Sequence, residues 1–222
     1  METVRVAVDI VIFSIRNREL NTLLVKRGVP PFEGEYAIPG GFLRSDESLE
    51  EAAKRELREE TSVRDVYLEQ LYSFGDPARD PRGRVVTVAY YALVSSDHLE
   101  LSAGADAAEA EWIAIKKLPV LAFDHGRIVK YALNRLRNKL EYTTVGFQLL
   151  PRKFTLAELQ AVYEAILGKK IDKRNFRRKM ALLGILQPLK EWQETGRKPA
   201  RLFRFATNQF EKLRDKGILF PF

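Results

Sequence analysis

The sequence predicts an α/β sandwich with a mixed sheet, followed by a smaller α+β domain of the winged helix-turn-helix type. Strand-like and helix-like segments alternate through residues 1–144, which is typical of a sheet covered by helices. The charge changes along the chain: residues 1–150 carry 20 Lys and Arg against 23 Asp and Glu, whereas residues 151–222 carry 17 against 7. The second region therefore differs from the first in net charge, and its excess of basic residues favours a polyanionic partner.

The first domain begins with a predicted hairpin. Val4–Phe13 is rich in β-branched residues, a polar turn follows at 16–19, and a second apolar run covers 22–27. Further strands are predicted at 67–74, 85–94 and 111–115. An amphipathic helix is predicted from Asp124 to Leu140, because its apolar residues recur at helical spacing.

Between these strands, the stretch 41–63 predicts a turn and then a helix. Pro39-Gly40-Gly41 supplies the turn, and Ser45 or Asp46 can cap the helix that follows. The apolar stripe of this helix consists of Leu49, Ala52, Ala53 and Leu57. A neighbouring face carries Glu56, Glu59 and Glu60 at i, i+3 and i+4, so three carboxylates are expected to converge.

Like charges at this spacing repel, so the carboxylates need a compensating cation. Arg55 and Arg58 can supply part of the charge, and Mg²⁺ or Mn²⁺ would suit the carboxylate oxygens better. The alternative is an ordinary acidic helix face in contact with solvent. The residues of the helix alone leave both interpretations open.

The spacing of Gly41, Glu47, Arg55-Glu56-Leu57 and Glu59-Glu60 resembles the Nudix box, with Ser62 where the family pattern has Gly. The resemblance implies that Glu56, Glu59 and Glu60 bind the metal ion and that Arg55 and Glu47 pair to orient the helix. These five residues form the expected catalytic set. The implied reaction is metal-assisted attack of water on a nucleoside diphosphate, with Mg²⁺ polarising the phosphoryl oxygens.

Two further segments resemble the ADP-ribose-related Nudix branch and the NrtR family of Nudix-related regulators of NAD metabolism. These are 79–83, Arg-Asp-Pro-Arg-Gly, and 121–125, Leu-Ala-Phe-Asp-His. The expected ligand-binding residues are Gly41, Arg79, Arg82, Arg84 and His125. The three arginines would receive the ligand's diphosphate, or would lie in a solvated loop. His125 would contact the ligand, or would cap or pack at the helix start.

Composition excludes several classes of site. The chain has no Cys, which excludes disulfides and thiolate metal sites. Neither a signal peptide nor a run of 18 apolar residues is evident, so we expect a cytoplasmic protein without a membrane segment.

Residues 145–153 are predicted to form a linker before the second domain, 154–222. Thr155 caps a helix to Leu167 with Glu158 three residues on, and Asp172 caps a second helix that starts at 173. The outward residues of the second helix are expected to bind DNA: Lys173, Arg174, Asn175, Arg177 and Arg178. Two strands at 185–187 and 200–205 predict a wing whose Arg197 and Lys198 contact DNA. A last helix is predicted at 207–216, with an apolar end at 218–222.

The segments 154–160 and 172–177 also resemble the DNA-binding domain of the NrtR family. The resemblance implies a homodimer that binds ADP-ribose, or a related nucleotide or sugar ligand, and a double-stranded operator. A basic module for protein interaction is the alternative for this domain. A working Mg²⁺-dependent hydrolase of ADP-ribose-like substrates is the alternative for the whole chain, since all the carboxylates of the box are present.

Overall fold

The computed structural model describes residues 3–61, 66–95, 110–196 and 198–206. The chain divides into two compact units. The first consists of the N-terminal segment to Arg16 and Leu20–Arg135, and the second consists of Asn17–Glu19 and the chain from Leu136 onward. The predicted domain limits of 1–144 and 154–222 remain predictions.

The first unit is built on a sheet of seven described strands. Their bounds are β1 (Arg5–Arg16), β2 (Glu19–Lys26), β3 (Tyr36–Ala37), β4 (Gly40–Phe42), β5 (Tyr67–Phe74), β6 (Val85–Leu93) and β7 (Ala110–Ala114). The main strand order is β3-β2-β1-β6-β5, with β4 paired to β1 and β7 to β2. β1 and β6 are parallel whereas β5 and β6 are antiparallel, so the sheet is mixed, as predicted.

The turn between β1 and β2 has only two residues, Asn17 and Arg18, and both have positive φ (51° and 61°). Two left-handed residues in succession are the mark of a type I′ turn, whose twist matches that of the flanking strands. The predicted N-terminal hairpin is confirmed.

Two helices cover opposite faces of this sheet. α1 (Leu49–Thr61) buries Ala52, Ala53 and Leu57 in a core with Val8 and Ile10 of β1. α2 (His125–Leu140) begins beside Asp9, which points to the other face because successive strand residues alternate. The predicted α/β sandwich is therefore confirmed.

The start of α1 differs from the prediction. The helix begins at Leu49, and its cap is Ser48, whose Oγ accepts from the Glu51 backbone N–H while the Glu51 carboxylate accepts from the Ser48 N–H. Neither Ser45 nor Asp46 caps the helix. This reciprocal capping box satisfies two backbone donors at once, which explains why the chain enters the helix later than predicted.

The described part of the second unit contains a short 3₁₀ helix, two α helices and a three-stranded sheet. The 3₁₀ helix covers Val145–Leu149, and the other elements are β8 (Phe154–Thr155), α3 (Leu156–Leu167), α4 (Lys173–Leu183), β9 (Leu186–Gln193) and β10 (Ala200–Phe205). The strand order is β8-β10-β9, and both pairings are antiparallel. This arrangement confirms the predicted winged helix-turn-helix.

Within this unit the predicted linker segment is packed. Phe147 of the 3₁₀ helix is buried and contacts the rings of Phe154 and Phe205. α3 and α4 meet through Tyr163 and Phe176, whose ring centroids are 5.7 Å apart.

The caps of both helices are those predicted. Thr155 and Glu158 form a capping box, and the Asp172 side chain accepts from the Asn175 N–H. Gly168 ends α3 in a left-handed conformation, where a residue without Cβ is favoured. The predicted helix at 207–216, the apolar end at 218–222 and Arg197 lie outside the described residues. In the part of the chain that is described, no helix is long and apolar enough to cross a membrane.

Candidate functional site

A cleft of about 830 Å³ opens in the first unit, where β4, α1 and the loops after β2 and before α2 meet. Most of the predicted site residues of this unit line it: Gly41, Arg55, Glu56, Glu59, Glu60, Arg79, Arg82 and His125. One wall is acidic and comes from α1. Arginine and phenylalanine side chains line another part of the cleft.

Glu47 lies behind the acidic wall and holds Arg55. The Arg55 guanidinium donates to both Glu47 oxygens, at 2.9 and 2.7 Å, and the Arg44 backbone N–H donates to the same carboxylate. The hydrogen bonds from Arg55 lower the pKa of Glu47 from 4.5 to about 2. The Glu47–Arg55 pair is thus present, with bidentate geometry that fixes the orientation of the guanidinium.

Arg55 also donates to Glu56 Oε1 at 2.6 Å, which places the Glu56 carboxylate on the floor of the cleft. Burial raises the pKa of Glu56, and the charge of Arg55 opposes that shift. The carboxylate packs directly on Gly41, where a Cβ atom would come within 2.2 Å of Oε1. Gly41 is therefore required by this close approach, and a side chain there would displace Glu56.

Glu59 and Glu60 have different surroundings. The Glu59 side chain is half-exposed, at 49%, and lies 3.5 Å from Arg55 and 3.9 Å from Arg44. Glu60 has a buried Oε2 without a hydrogen-bond partner. Burial, together with the charges of Glu56 and Glu59, raises the pKa of Glu60 to about 7. A buried carboxylate oxygen without a partner is costly unless a cation completes it.

All three carboxylates line this cleft, and their convergence on one metal ion remains a prediction. Among the described residues, no three acidic or histidine side chains are grouped closely enough to hold a metal ion. Arg55 donates to both Glu56 and Glu59, so part of their negative charge is already compensated by the chain itself. Glu56 and Glu60 still suit a hard cation such as Mg²⁺, which uses one or two protein carboxylates and completes its shell with water and substrate phosphates.

Arg79 is held in a buried ion-pair network. Its guanidinium donates to Asp124 at 2.8 and 3.2 Å and to Asp9 at 3.2 Å, and its side chain is only 4% exposed. Burial lowers the pKa of Arg79, but the two carboxylates outweigh burial and the net shift is upward. Its Nε and NH2 atoms are both occupied, and these contacts give Arg79 an organising role. Its predicted contact with the diphosphate remains a prediction.

His125 is the first residue of α2, and its ring is buried at the cleft wall. Its Nδ1 accepts from the Ile38 backbone N–H at 3.1 Å, while Nε2 lies 3.7 Å from Asp9 Oδ1. Burial lowers the pKa of His125, which keeps the imidazole neutral and leaves the proton on Nε2. The ring thereby fixes the chain before β4, a packing role that the sequence left open.

Arg82 and Arg84 are only two residues apart in the sequence, but of the two only Arg82 lines the cleft. Arg82 lines the cleft and donates to both oxygens of Asp80, at 3.0 and 2.7 Å. Burial raises the pKa of Asp80, but these hydrogen bonds bring the net shift below the usual value. Arg84 donates to the Gly75 carbonyl and is not among the residues that line the cleft, so its predicted contact with the ligand remains a prediction that this geometry does not support.

Arginine and phenylalanine side chains alternate in a row, which we name the Arg–Phe row, and all of its members except Arg5 line the cleft. In order along the row the members are Arg5, Phe42, Arg82, Phe123 and Arg27. Each guanidinium carbon lies over its neighbouring ring, at 4.4, 5.3, 5.4 and 4.9 Å from the centroid. Such cation–π contacts hold the cations in place without neutralising them.

Sequence reasoning missed Phe42, Phe123 and Arg27 as parts of this site. Phe123 has φ 55°, a left-handed conformation that a bulky residue rarely adopts. No local sequence pattern predicts it. Arg27 donates to the Pro31 and Val29 carbonyls, so its position depends on the loop after β2.

The predicted DNA-binding residues of α4 lie together in the second unit. Lys173, Arg174, Asn175, Arg177 and Arg178 are all exposed, whereas Phe176 and Met180 are buried against the rest of the unit. α4 has five basic residues and no acidic one. Lys198 is exposed between β9 and β10, and Trp192 of β9 is a large ring with 61% exposure that sequence reasoning did not single out.

Comparison with known proteins places both units. Residues 3–132 match the NUDIX domain family, and residues 146–205 match the NrtR DNA-binding winged helix domain. The chain is 38% identical over 208 residues to the "ADPR responsive transcriptional repressor NtrR" of Acinetobacter baylyi, which covers 92% of this chain and 83% of the relative. It is also 42% identical over 125 residues to an ADP-ribose pyrophosphatase of Methanocaldococcus jannaschii, covering 56% of this chain and 70% of that enzyme.

Solved structures of Shewanella oneidensis NrtR are similar as well. The complex of that protein with a 27mer DNA superposes with a TM-score of 0.81 at 36% identity, covering 93% of this chain and 95% of the other. The NUDIX domain of the same protein, complexed with ADP ribose, gives a TM-score of 0.55 at 38% identity over 61% of this chain and 90% of the other.

Proposed function

The chain belongs to the NrtR family, in which a Nudix domain is joined to a DNA-binding winged helix, and we propose that it is a transcriptional repressor that responds to ADP-ribose. The observation that carries the proposal is α4: an exposed helix with five cations and no acidic residue, placed as the second helix of a helix-turn-helix. A small-molecule hydrolase has no use for such a surface. A DNA duplex, with phosphates on both strands, is a polyanion that would bind this basic surface.

The cleft of the first unit suits a nucleoside diphosphate sugar. The ligand's diphosphate would lie near Glu56 and Glu60, which can share a divalent metal ion with it, and near Arg82 of the same cleft. The exposed faces of the Arg–Phe row offer flat apolar surface for a base or a ribose. A sugar derivative without the base is the competing ligand.

We propose that ligand and DNA are coupled by a population shift. The protein would act as a homodimer on a palindromic operator, with two α4 helices one helical turn apart. ADP-ribose lowers DNA affinity if it binds the DNA-free arrangement more tightly than the DNA-bound one, and the effect is reciprocal. A DNA-binding regulator works beside the chromosome, so the cytoplasm remains the proposed location.

The test uses the full-length chain and a DNA duplex that this chain has selected from a pool of random sequences. We expect ADP-ribose with Mg²⁺ to release the labelled duplex in a fluorescence anisotropy titration, while ribose 5-phosphate does not. Arg82→Ala should raise the ADP-ribose concentration needed for release and leave DNA affinity in the absence of ligand unchanged. Arg84→Ala is the matched control, because Arg84 lies outside the cleft. Release by ribose 5-phosphate alone would favour the sugar ligand, and no release by either would refute the proposal.

A second activity, metal-dependent hydrolysis of ADP-ribose, is favoured by one observation: the buried and unpartnered Oε2 of Glu60 in a cleft that also holds Glu56. Mg²⁺ or Mn²⁺ bound there would polarise the phosphoryl oxygens and activate water. The chain's own contribution is to hold Glu56 through Arg55 and to position the substrate against Arg82. A catalytic base outside the Nudix box is expected among residues 102–109, which lie outside the described residues.

Hydrolysis is tested by following AMP release from ADP-ribose with Mg²⁺, beside Glu59→Gln and Glu60→Gln. Both variants should lose turnover and keep DNA binding. Glu50→Gln is the control, since Glu50 is on the same helix but pairs with Lys54 at the surface. Binding of ADP-ribose without AMP release would leave the cleft as a sensor only.

A further inference from the structure

The charged and polar side chains in the first two turns of α4 point in different directions, and these directions predict two kinds of DNA contact. The residues are Lys173, Arg174, Asn175, Arg177, Arg178 and Lys179. Phe176 and Met180 are buried and mark the inward side of the helix. Successive residues of a helix are about 100° apart, so Arg178 points directly away from the inward side. Arg174 points within about 40° of the direction of Arg178. Arg177 and Lys179 point about 100° to either side of Arg178.

A recognition helix in a major groove has its outermost side chains at the base edges and its flanking side chains at the two phosphate walls. The direction of each residue on α4 therefore predicts its contact. Arg174 and Arg178 are placed for base edges, where an arginine binds guanine O6 and N7 through two hydrogen bonds. Arg177 and Lys179 are placed for phosphates, which position the protein without reading sequence.

A second observation singles out Arg178. Its NH2 donates to Asn175 Oδ1 at 2.8 Å, one helical turn earlier, and the Asn175 backbone is itself fixed by the Asp172 cap. A side chain held in one direction by a neighbour loses less rotamer freedom when it binds. No contact of this kind within the described residues holds Arg177, although it is equally exposed.

We propose that Arg174 and Arg178 determine the operator sequence by binding two guanines in each half-site, with Asn175 as the positioning residue for Arg178. Arg177 and Lys179 contribute affinity that does not depend on sequence. The proposal rests on the proposed function, since it assumes that α4 enters a major groove. It adds which residues read the bases and which base each reads.

The test is selection of duplexes from a random pool by the full-length chain and by two charge-preserving variants on the same helix. Arg178→Lys should lose the preference for guanine at one position of each half-site, and its affinity for the selected duplex should fall by roughly tenfold or more. Arg177→Lys should select the same sequence as the unaltered chain. Arg174→Lys should relax a different position.

A chemical probe then checks the contact atom. Replacing the guanine assigned to Arg178 with 7-deazaguanine removes N7, so it should weaken binding by the unaltered chain and have no further effect on Arg178→Ala. Asn175→Ala should partly relax the same guanine preference while the melting temperature stays within a degree or so of the unaltered chain, a result that a merely structural role for Asn175 would not give.

The outcomes separate the inference from the function it rests on. If Arg178→Lys and Arg177→Lys select the same sequence, or if the 7-deazaguanine penalty persists in Arg178→Ala, DNA binding stands and the assignment of base contacts is wrong. If the unaltered chain enriches no sequence at all, the repressor function itself fails and the inference fails with it.

Discussion

Charged side chains are arranged in opposite ways in the two units. In the cleft, Arg79 is buried, Arg55 is largely buried, and both are already paired with carboxylates of the same chain. On α4, Arg174 and Arg177 are exposed and surrounded by other cations. A small ligand requires groups fixed before it arrives, whereas DNA supplies the counter-charges itself. The contrast predicts that cleft substitutions change stability and that α4 substitutions change affinity.

The largest effect is expected from Arg79→Met, which keeps an unbranched side chain but removes the charged guanidinium. Asp9 and Asp124 would be left buried and uncompensated, which should lower the free energy of unfolding by about 3 kcal/mol. Urea unfolding followed by circular dichroism measures the loss. Arg84→Met is the control, because it removes a single hydrogen bond and should cost about 1 kcal/mol. Equal losses in the two variants would contradict the organising role of Arg79.

That role could not be predicted from the sequence, because Arg79 meets Asp9 across 70 residues and Asp124 across 45. The Nudix-box helix and the two capped helices were predictable, since their signals are local: apolar spacing, Thr155 with Glu158, and Asp172. The sequence does contain Ser48 three residues before Glu51, and this capping box was overlooked in favour of Ser45 or Asp46.

Gly41→Ala should have the next largest effect, on ligand binding rather than on folding. The new Cβ would meet Glu56 Oε1 and turn the carboxylate out of its place. Displacing a metal-binding group in this way costs roughly tenfold or more in affinity. Calorimetric titration with ADP-ribose and Mg²⁺ measures the change. Gly126→Ala is the control, because Gly126 lies within α2 and a Cβ there meets no atom within 4 Å. Unchanged affinity in Gly41→Ala would exclude Glu56 from the ligand site.

A smaller effect is expected from Thr155→Ala in the second unit, which removes the capping box of α3. The loss should be about 1 kcal/mol. Thermal unfolding monitors it, with Thr195→Ala as the control, since the Thr195 hydroxyl donates only to the exposed Lys198 carbonyl. Because the cap stabilises the unit without touching DNA, Thr155→Ala should leave the selected operator sequence unchanged.

The pair of Glu47 and Arg55 predicts a dependence on pH. Because the folded-state pKa of Glu47 is lowered from 4.5 to about 2, its contribution to stability is full above pH 4.5 and is lost as the pH falls toward 2. Glu47→Gln removes that contribution. The stability gap between the unaltered chain and the variant should therefore be constant from pH 5 to 7 and should close below pH 4. A gap that widens toward low pH would have the wrong sign.

The smallest effect on stability is expected on α4. Arg177→Ala removes an exposed side chain and should change the free energy of unfolding by less than about 0.5 kcal/mol. It should nevertheless weaken binding to every duplex, and the slope of log affinity against log salt should fall by about one. Salt titrations with a selected and a scrambled duplex measure this. A loss confined to the selected duplex would make Arg177 a base-reading residue and would remove the division of roles on the helix.

The left-handed backbone of Phe123 places a bulky ring where glycine would cost the least. That conformation costs a residue with a side chain about 1–2 kcal/mol. Phe123→Gly would therefore ease the backbone and remove the ring that separates Arg27 from Arg82. Screening a library for thermal tolerance would favour Gly at position 123, whereas screening it for ligand response would favour Phe. Its preferred residue in any laboratory evolution of this protein reports which of the two properties was under selection.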